Sequence, residues 1–181
     1  RKHYARAKVS TWPSKAMSRY PLTPLYLRMQ DCLYLGNMDA LRDWGHARDD
    51  VDAMWRILQH DTPEDFVIST GETRSVREFC EASFAQAGMP IHWKGEGTNE
   101  VGISDADGEV LVAVDERYFR PTEVEFLLGD ARKAKDLLGW EPTTSFVQLV
   151  EMMVASDMEA TRKLVEGIDP NTYSIPSRRE D

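Results

Sequence analysis

The stretch Leu33-Tyr34-Leu35-Gly36-Asn37-Met38-Asp39-Ala40-Leu41-Arg42-Asp43-Trp44-Gly45-His46-Ala47-Arg48-Asp49 decides the fold. It opens on three residues with strand preference and closes them with Gly-Asn, a turn signal. Arg42-Asp43-Trp44 is a second short extended piece. From His46 to Gln59 the apolar residues Ala47, Val51, Met54, Trp55 and Leu58 recur at helical spacing and mark one face of a helix. Strand, turn and helix follow one another within thirty residues or so, the grammar of an α/β chain.

Working outward toward the C-terminus, Asp61-Thr62-Pro63 stops the helix, and Phe66-Val67-Ile68 reads as a compact buried strand ending at Gly71. Ser75-Val76-Arg77-Glu78 has the capping-box spacing, in which serine and glutamate side chains satisfy first-turn amides. The helix it starts carries Val76, Phe79, Cys80, Phe84 and Ala87, and Gly88 closes it. Residues 91–115 read as strand, loop, strand, with Ile91-His92-Trp93 and Val110 to Val114 as the strands. Asp130 caps a third helix that bears Ala134, Leu137 and Leu138 and ends at Gly139. A last helix starts near Ser145 with Phe146, Leu149, Val150 and Met153 on its apolar side. The polar tail from Pro176 is expected to be disordered.

Working outward toward the N-terminus, the pattern breaks. Residues 1–30 contain Pro13, Pro21 and Pro24 and sustain no apolar period. They also hold seven basic residues and no acidic one, whereas residues 31–181 hold the other 15 basic and all 31 acidic residues. A basic arm on an acidic body can mark a nucleic-acid or membrane arm. It can equally mark a segment outside the fold. The whole chain of 181 residues carries a formal charge of −9, with 41% hydrophobic and 29% charged residues. Those proportions are ordinary for a globular protein. No run of 18 apolar residues occurs, so no membrane helix is expected, and Cys32 and Cys80 are too few for a disulfide scaffold. A reducing, cytoplasmic setting is the expectation.

Candidate chemistry is sparse. The chain has no Gly-x-Gly-x-x-Gly opening a helix after a strand and no phosphate-binding Gly-Lys-Ser/Thr loop. His3, His46, His60 and His92 are not spaced as metal ligands, so no metal site is expected. Asp105-Ala106-Asp107-Gly108-Glu109 departs from the EF-hand pattern and reads as a solvated loop. Tyr4 and Lys8 have the Tyr-x-x-x-Lys spacing of a general-base pair, but no nucleotide loop precedes them, so no catalytic residue is assigned. Two arginines stand out. Arg42 follows the Gly-Asn turn, and Arg120 follows Tyr118-Phe119, with Glu123 three residues on. A guanidinium can hold phosphate oxygens bidentately, and a glutamate can accept from a ribose diol.

The quoted stretch resembles the GDP-mannose 4,6-dehydratase family. So do Glu64-Asp65-Phe66-Val67-Ile68-Ser69-Thr70-Gly71, Ser75-Val76-Arg77-Glu78-Phe79, Tyr118-Phe119-Arg120-Pro121-Thr122-Glu123-Val124-Glu125, Leu128-Gly129-Asp130, Lys133-Ala134 and Leu138-Gly139-Trp140, in that order. The resemblance spans about residues 31–155, with Asp50 standing where the family usually has an aromatic. It implies an extended short-chain dehydrogenase/reductase, in which an NADP-binding Rossmann domain and a smaller substrate domain together convert GDP-mannose to GDP-4-keto-6-deoxymannose, on the route to GDP-fucose. The fold class implied here is α/β, the C-terminal substrate-binding portion with an incomplete Rossmann fold. Residues 31–71 would form a strand-helix-strand unit of the Rossmann sheet, residues 72–166 the substrate cap, and 167–181 a tail. Residues 1–30 would be an unassigned basic arm translated out of frame.

By the same resemblance Asn37 lies at the nucleotide, Arg42 at the diphosphate, Arg120 at phosphate and Glu123 at the ribose of GDP. The ligands implied are GDP-mannose and NADP, whose loop this chain lacks. The complete enzyme is expected to be a homo-oligomer without nucleic acid or membrane. The fragment is expected to be inactive alone and, with its apolar faces at Trp55 and Phe66 to Ile68 uncovered, prone to associate. The alternative is a non-catalytic nucleotide-sugar binding or interaction module.

Overall fold

A computed structural model describes residues 31–119 and 127–166. Two sheets and four helices order them. The larger sheet has strand order β1-β6-β5-β4, built from β1 (Leu33–Leu35), β4 (Ile91–Lys94), β5 (Val101–Ser104) and β6 (Val110–Val114). β1 runs parallel to β6, with Leu33 beside Val112 and Leu35 beside Val114, whereas β4, β5 and β6 are antiparallel. The smaller sheet pairs β2 (Leu41–Arg42) with β3 (Arg74–Ser75), which sets Arg42 opposite Arg74. The helices are α1 (Ala47–Gln59), α2 (Val76–Gln86), α3 (Arg132–Leu138) and α4 (Phe146–Val165).

Local chemistry explains the helix ends. His46 caps α1 by accepting from the Arg48 amide. The Ser75–Glu78 capping box forms at α2 as the spacing predicts, with both reciprocal bonds present. Ser145 and Gln148 make the same exchange at α4. At α3 the N-cap residue is Ala131 rather than Asp130, though the Asp130 carboxylate still accepts the Arg132 amide at 3.0 Å. Gly139 ends α3 with φ +61°, a backbone region that side chains with a Cβ rarely adopt.

Three apolar clusters hold these elements. Leu33, Met38, Cys80, Phe84 and Val112 pack α2 onto the larger sheet. Ala87, Val150 and Val154 pack α4 onto α2, with Phe79 and Phe146 alongside. Ala53, Ala134 and Trp140 join α1 to α3. Asp49 reinforces that last junction. It is buried, and its carboxylate accepts from Thr143 Oγ1 at 2.6 Å and from the Thr143 and Thr144 amides. Its own carbonyl accepts from Trp140 Nε1.

Two expectations need correction. Residues 91–115 hold a third strand, β5, inside the expected loop. Its four residues alternate too briefly to register as a period, and Gly102 is needed there because a Cβ would come within 3.1 Å of Ile91 and Val112. Phe66-Val67-Ile68 is not a strand. No strand lies alongside it in the described residues, and Phe66 and Ile68 turn inward onto Ala53 and Trp140. β1 has β6 as its hydrogen-bonded neighbour. The periodic apolar face of α1 is uncovered, as expected at Trp55. Val51, Trp55 and Leu58 are 61%, 62% and 80% exposed, and the helix buries Asp49 and Ala53 instead.

Candidate functional site

The parallel pair β1–β6 creates the site. Parallel strands end on the same side, and in open α/β sheets ligands gather beyond those carboxyl ends. β1 runs into Gly36-Asn37 and β6 into a tight turn over residues 115–119. The Asp115 amide donates to the Leu35 carbonyl at 2.8 Å, and Tyr118 and Phe119 amides donate back to the Asp115 carbonyl. Gly36 lies so close to this turn that a Cβ on it would stand 2.3 Å from the Tyr118 carbonyl oxygen. Glycine is therefore the residue that lets the two segments touch.

The turn is charged and ordered by its own ion pair. Arg117 donates through its guanidinium and amide to Asp115, which holds the Asp115 carboxyl below its ordinary range. Asn37 is half-buried, and its Oδ1 accepts the Asp39 amide at 2.9 Å. Arg42, on β2, is half-buried and turns one guanidinium nitrogen back to the Leu41 carbonyl at 2.8 Å. Arg120 and Glu123 lie outside the described residues. The structure therefore sets Gly36, which precedes Asn37, against Tyr118 and carries Arg42 on the two-stranded sheet.

Several residues at this site escape a reading of the sequence. Asp43 gathers the Thr70 amide, the Thr70 hydroxyl and the Gly71 amide, so it ties the segment after Arg42 to the one that precedes β3. Trp44 stacks on Phe79 at 4.5 Å and donates Nε1 to the Arg74 carbonyl. A cavity of about 260 Å³ opens beside them, lined by Trp44, Thr70, Arg74, Thr144 and Phe146. Arg77 donates to Glu100 and Asp39, and its aliphatic and charged end lies 5.0 Å from the Trp93 ring centre. The Glu100 bond above all, with Asp39 adding to it, keeps that guanidinium protonated more firmly than usual, against the opposing effect of partial burial. The only local signal for Arg77 is its place inside the capping box; its partners are 38 and 23 residues away.

Elsewhere the acidic loop after β5 uses its side chains on itself. His92 Nδ1 lies 2.6 Å from Asp105, and Asp107 accepts the Glu109 amide. Among the described residues no cluster of three or more His, Cys, Asp or Glu side chains could hold a metal. Gly36-Asn37 leads from β1 to β2 rather than into a helix, and the helices start at His46, Ser75, Ala131 and Ser145 with no glycine-rich strand-to-helix turn before them.

The α/β fold is similar to that of solved epimerases and of a dTDP-glucose 4,6-dehydratase. It resembles RMD from Pseudomonas aeruginosa, solved with NADPH, at TM-score 0.59 and 18% identity over 76% of this chain and 40% of that one. It also resembles UDP-glucose 4-epimerase from Thermotoga maritima, at TM-score 0.56 and 23% identity over 82% of this chain and 39% of that one. The profile of the GDP-mannose 4,6 dehydratase family matches residues 5–153, and the chain belongs to that family. It is 49% identical over 160 residues to the GDP-mannose 4,6 dehydratase of Homo sapiens, covering 88% of this chain and 43% of that protein. It is 51% identical over 156 residues to GDP-mannose 4,6 dehydratase 2 of Caenorhabditis elegans, covering 86% and 40%. The chain thus spans about two-fifths of the length of these relatives. The family match starts well before Asp31, where the resemblance in the sequence was placed.

Proposed function

We propose that this chain is the substrate-binding part of a GDP-mannose 4,6-dehydratase, a lyase that converts GDP-mannose to GDP-4-keto-6-deoxymannose with NADP. The observation that carries the reading is the meeting of Gly36, which precedes Asn37, with the turn at residues 115–119, at the carboxyl ends of the parallel pair β1–β6. In this reading Asn37 reaches the nucleotide, Arg42 the diphosphate, Arg120 a phosphate and Glu123 the ribose diol. Guanidinium forks suit phosphate oxygens, and a carboxylate suits a pair of hydroxyls.

NADP belongs to the whole enzyme, since the described residues of this chain hold no glycine-rich strand-to-helix turn. The remaining part of the enzyme, in this reading, covers the apolar face of α1 and the extended segment 66–68. Residues 31–71 contribute to that contact, and residues 72–166 complete the substrate cap. The complete enzyme is a cytoplasmic homo-oligomer.

Purified chain incubated with GDP-mannose and NADP is expected to give no 4-keto product. Co-expression with the part of a relative that this chain does not cover is expected to restore turnover. Turnover by the chain alone, or no turnover in a soluble, correctly assembled pair, would overturn the reading.

A further inference from the structure

The loop that carries Asn37 is held by α2 rather than by its own strand. The Arg77 amide donates to the Met38 carbonyl at 2.9 Å, and the Val76 amide to the Ala40 carbonyl at 3.2 Å. The Arg77 guanidinium then reaches across to the same loop and donates to Asp39 Oδ1 at 2.8 Å through one terminal nitrogen and at 3.3 Å through Nε. The Asp39 amide in turn donates to Asn37 Oδ1. With one lone pair of that oxygen engaged and its orientation set by that bond, the Asn37 carboxamide presents its NH2 group as the donor for a ligand.

Stability alone does not account for the Asp39 carboxylate. Its side chain is 78% exposed, and an exposed ion pair adds little to folding. Arg77 already has a charge partner in Glu100, a buried carboxylate that receives both terminal nitrogens. What Asp39 adds is direction, since it fixes where the loop, and Asn37 with it, stands relative to the Tyr118 turn.

We propose that Arg77 and Asp39 are positioning residues of the nucleotide site, which act through Asn37 by locking its carboxamide as a donor toward an acceptor oxygen of a nucleoside diphosphate. This rests on the nucleotide reading of the site given above. Arg77, anchored on Glu100, is the fixed point, and Asp39 is the link that moves when the anchor is lost.

The test is a calorimetric titration of the full chain with GDP for the parent, Asn37→Ala, Asp39→Ala and the double variant. Each single change is expected to weaken binding about fivefold, and the double variant no more than either, because residues acting through one contact are not additive. Arg77→Lys keeps the charge but loses the fork, and is expected to weaken binding as Asp39→Ala does. A merely structural Asp39 would shift the melting temperature without touching GDP affinity. An Asp39→Ala variant that binds like the parent, or effects that multiply in the double variant, overturn the positioning role. A parent that does not bind GDP, or an Asn37→Ala variant that binds normally, instead overturns the nucleotide reading, and this inference falls with it.

Discussion

A methyl group on Gly36 would collide with the Tyr118 carbonyl oxygen, and neither partner is a flexible side-chain end. Gly36→Ala is therefore expected to push β1 and the turn after β6 apart. Circular dichroism melts should show a loss of several degrees, because the cost of overpacking is typically about 1–3 kcal/mol, and GDP affinity should fall with the displaced loop. Asp49 makes a different residue-scale case. Burial pushes its pKa up, but the bonds from Thr143 and Thr144 outweigh that and hold it below the ordinary carboxylate value. A group with a lowered folded pKa stabilises fully above its unfolded pKa of about 3.9 and loses that contribution as pH falls through the folded value. Asp49→Ala is expected to cost about 1–3 kcal/mol in urea unfolding at pH 7, since it strands buried donors. The loss should shrink below about pH 4, where the native carboxylate is itself being protonated. An unchanged loss at low pH would show that the carboxylate's charge is not what holds Thr143 and Thr144.

At the scale of elements, what is local was legible. The serine–glutamate capping box, the glycine stop of α3 and the period of α1 can each be read from a few neighbouring residues, because each is satisfied within a turn or two of helix. That α1 packs through Ala53 was not legible. Periodicity identifies a stripe, not its partner, and here the small residue Ala53 faces Ala134 and Trp140 while Val51, Trp55 and Leu58 face outward. The segment 66–68 illustrates the same limit. A short apolar run has the composition of a buried strand, but a strand exists only where another backbone supplies its hydrogen bonds. β5 was hidden for the converse reason, since its four residues become a strand only between β4 and β6.

The exposed stripe on α1 has a consequence for the whole molecule. Val51, Met54, Trp55 and Leu58 form one uncovered apolar face, and such faces promote association. Sedimentation of the isolated chain is expected to show concentration-dependent oligomers, and Trp55→Glu with Leu58→Glu to shift it toward monomer without lowering the unfolding midpoint, because those side chains are not in the core. A monodisperse parent would remove the stripe's claim to be an interface. Arg42 and Asn37 stand out in the sequence as residue types in a family pattern, and family membership followed from the order of those motifs. Asp39, Asp43, Arg77 and Glu100 do not stand out, because each acts through a partner more than 20 residues away or through a loop that only the fold brings near. The amino-acid order by itself determined the helix caps, the α/β character and the family, all of which depend on neighbours in sequence. Only the tertiary structure decided that β1 lies beside β6, that Gly36 meets Tyr118, and that Arg77 reaches the Asn37 loop. Those contacts arise from packing between distant segments, which no local period encodes.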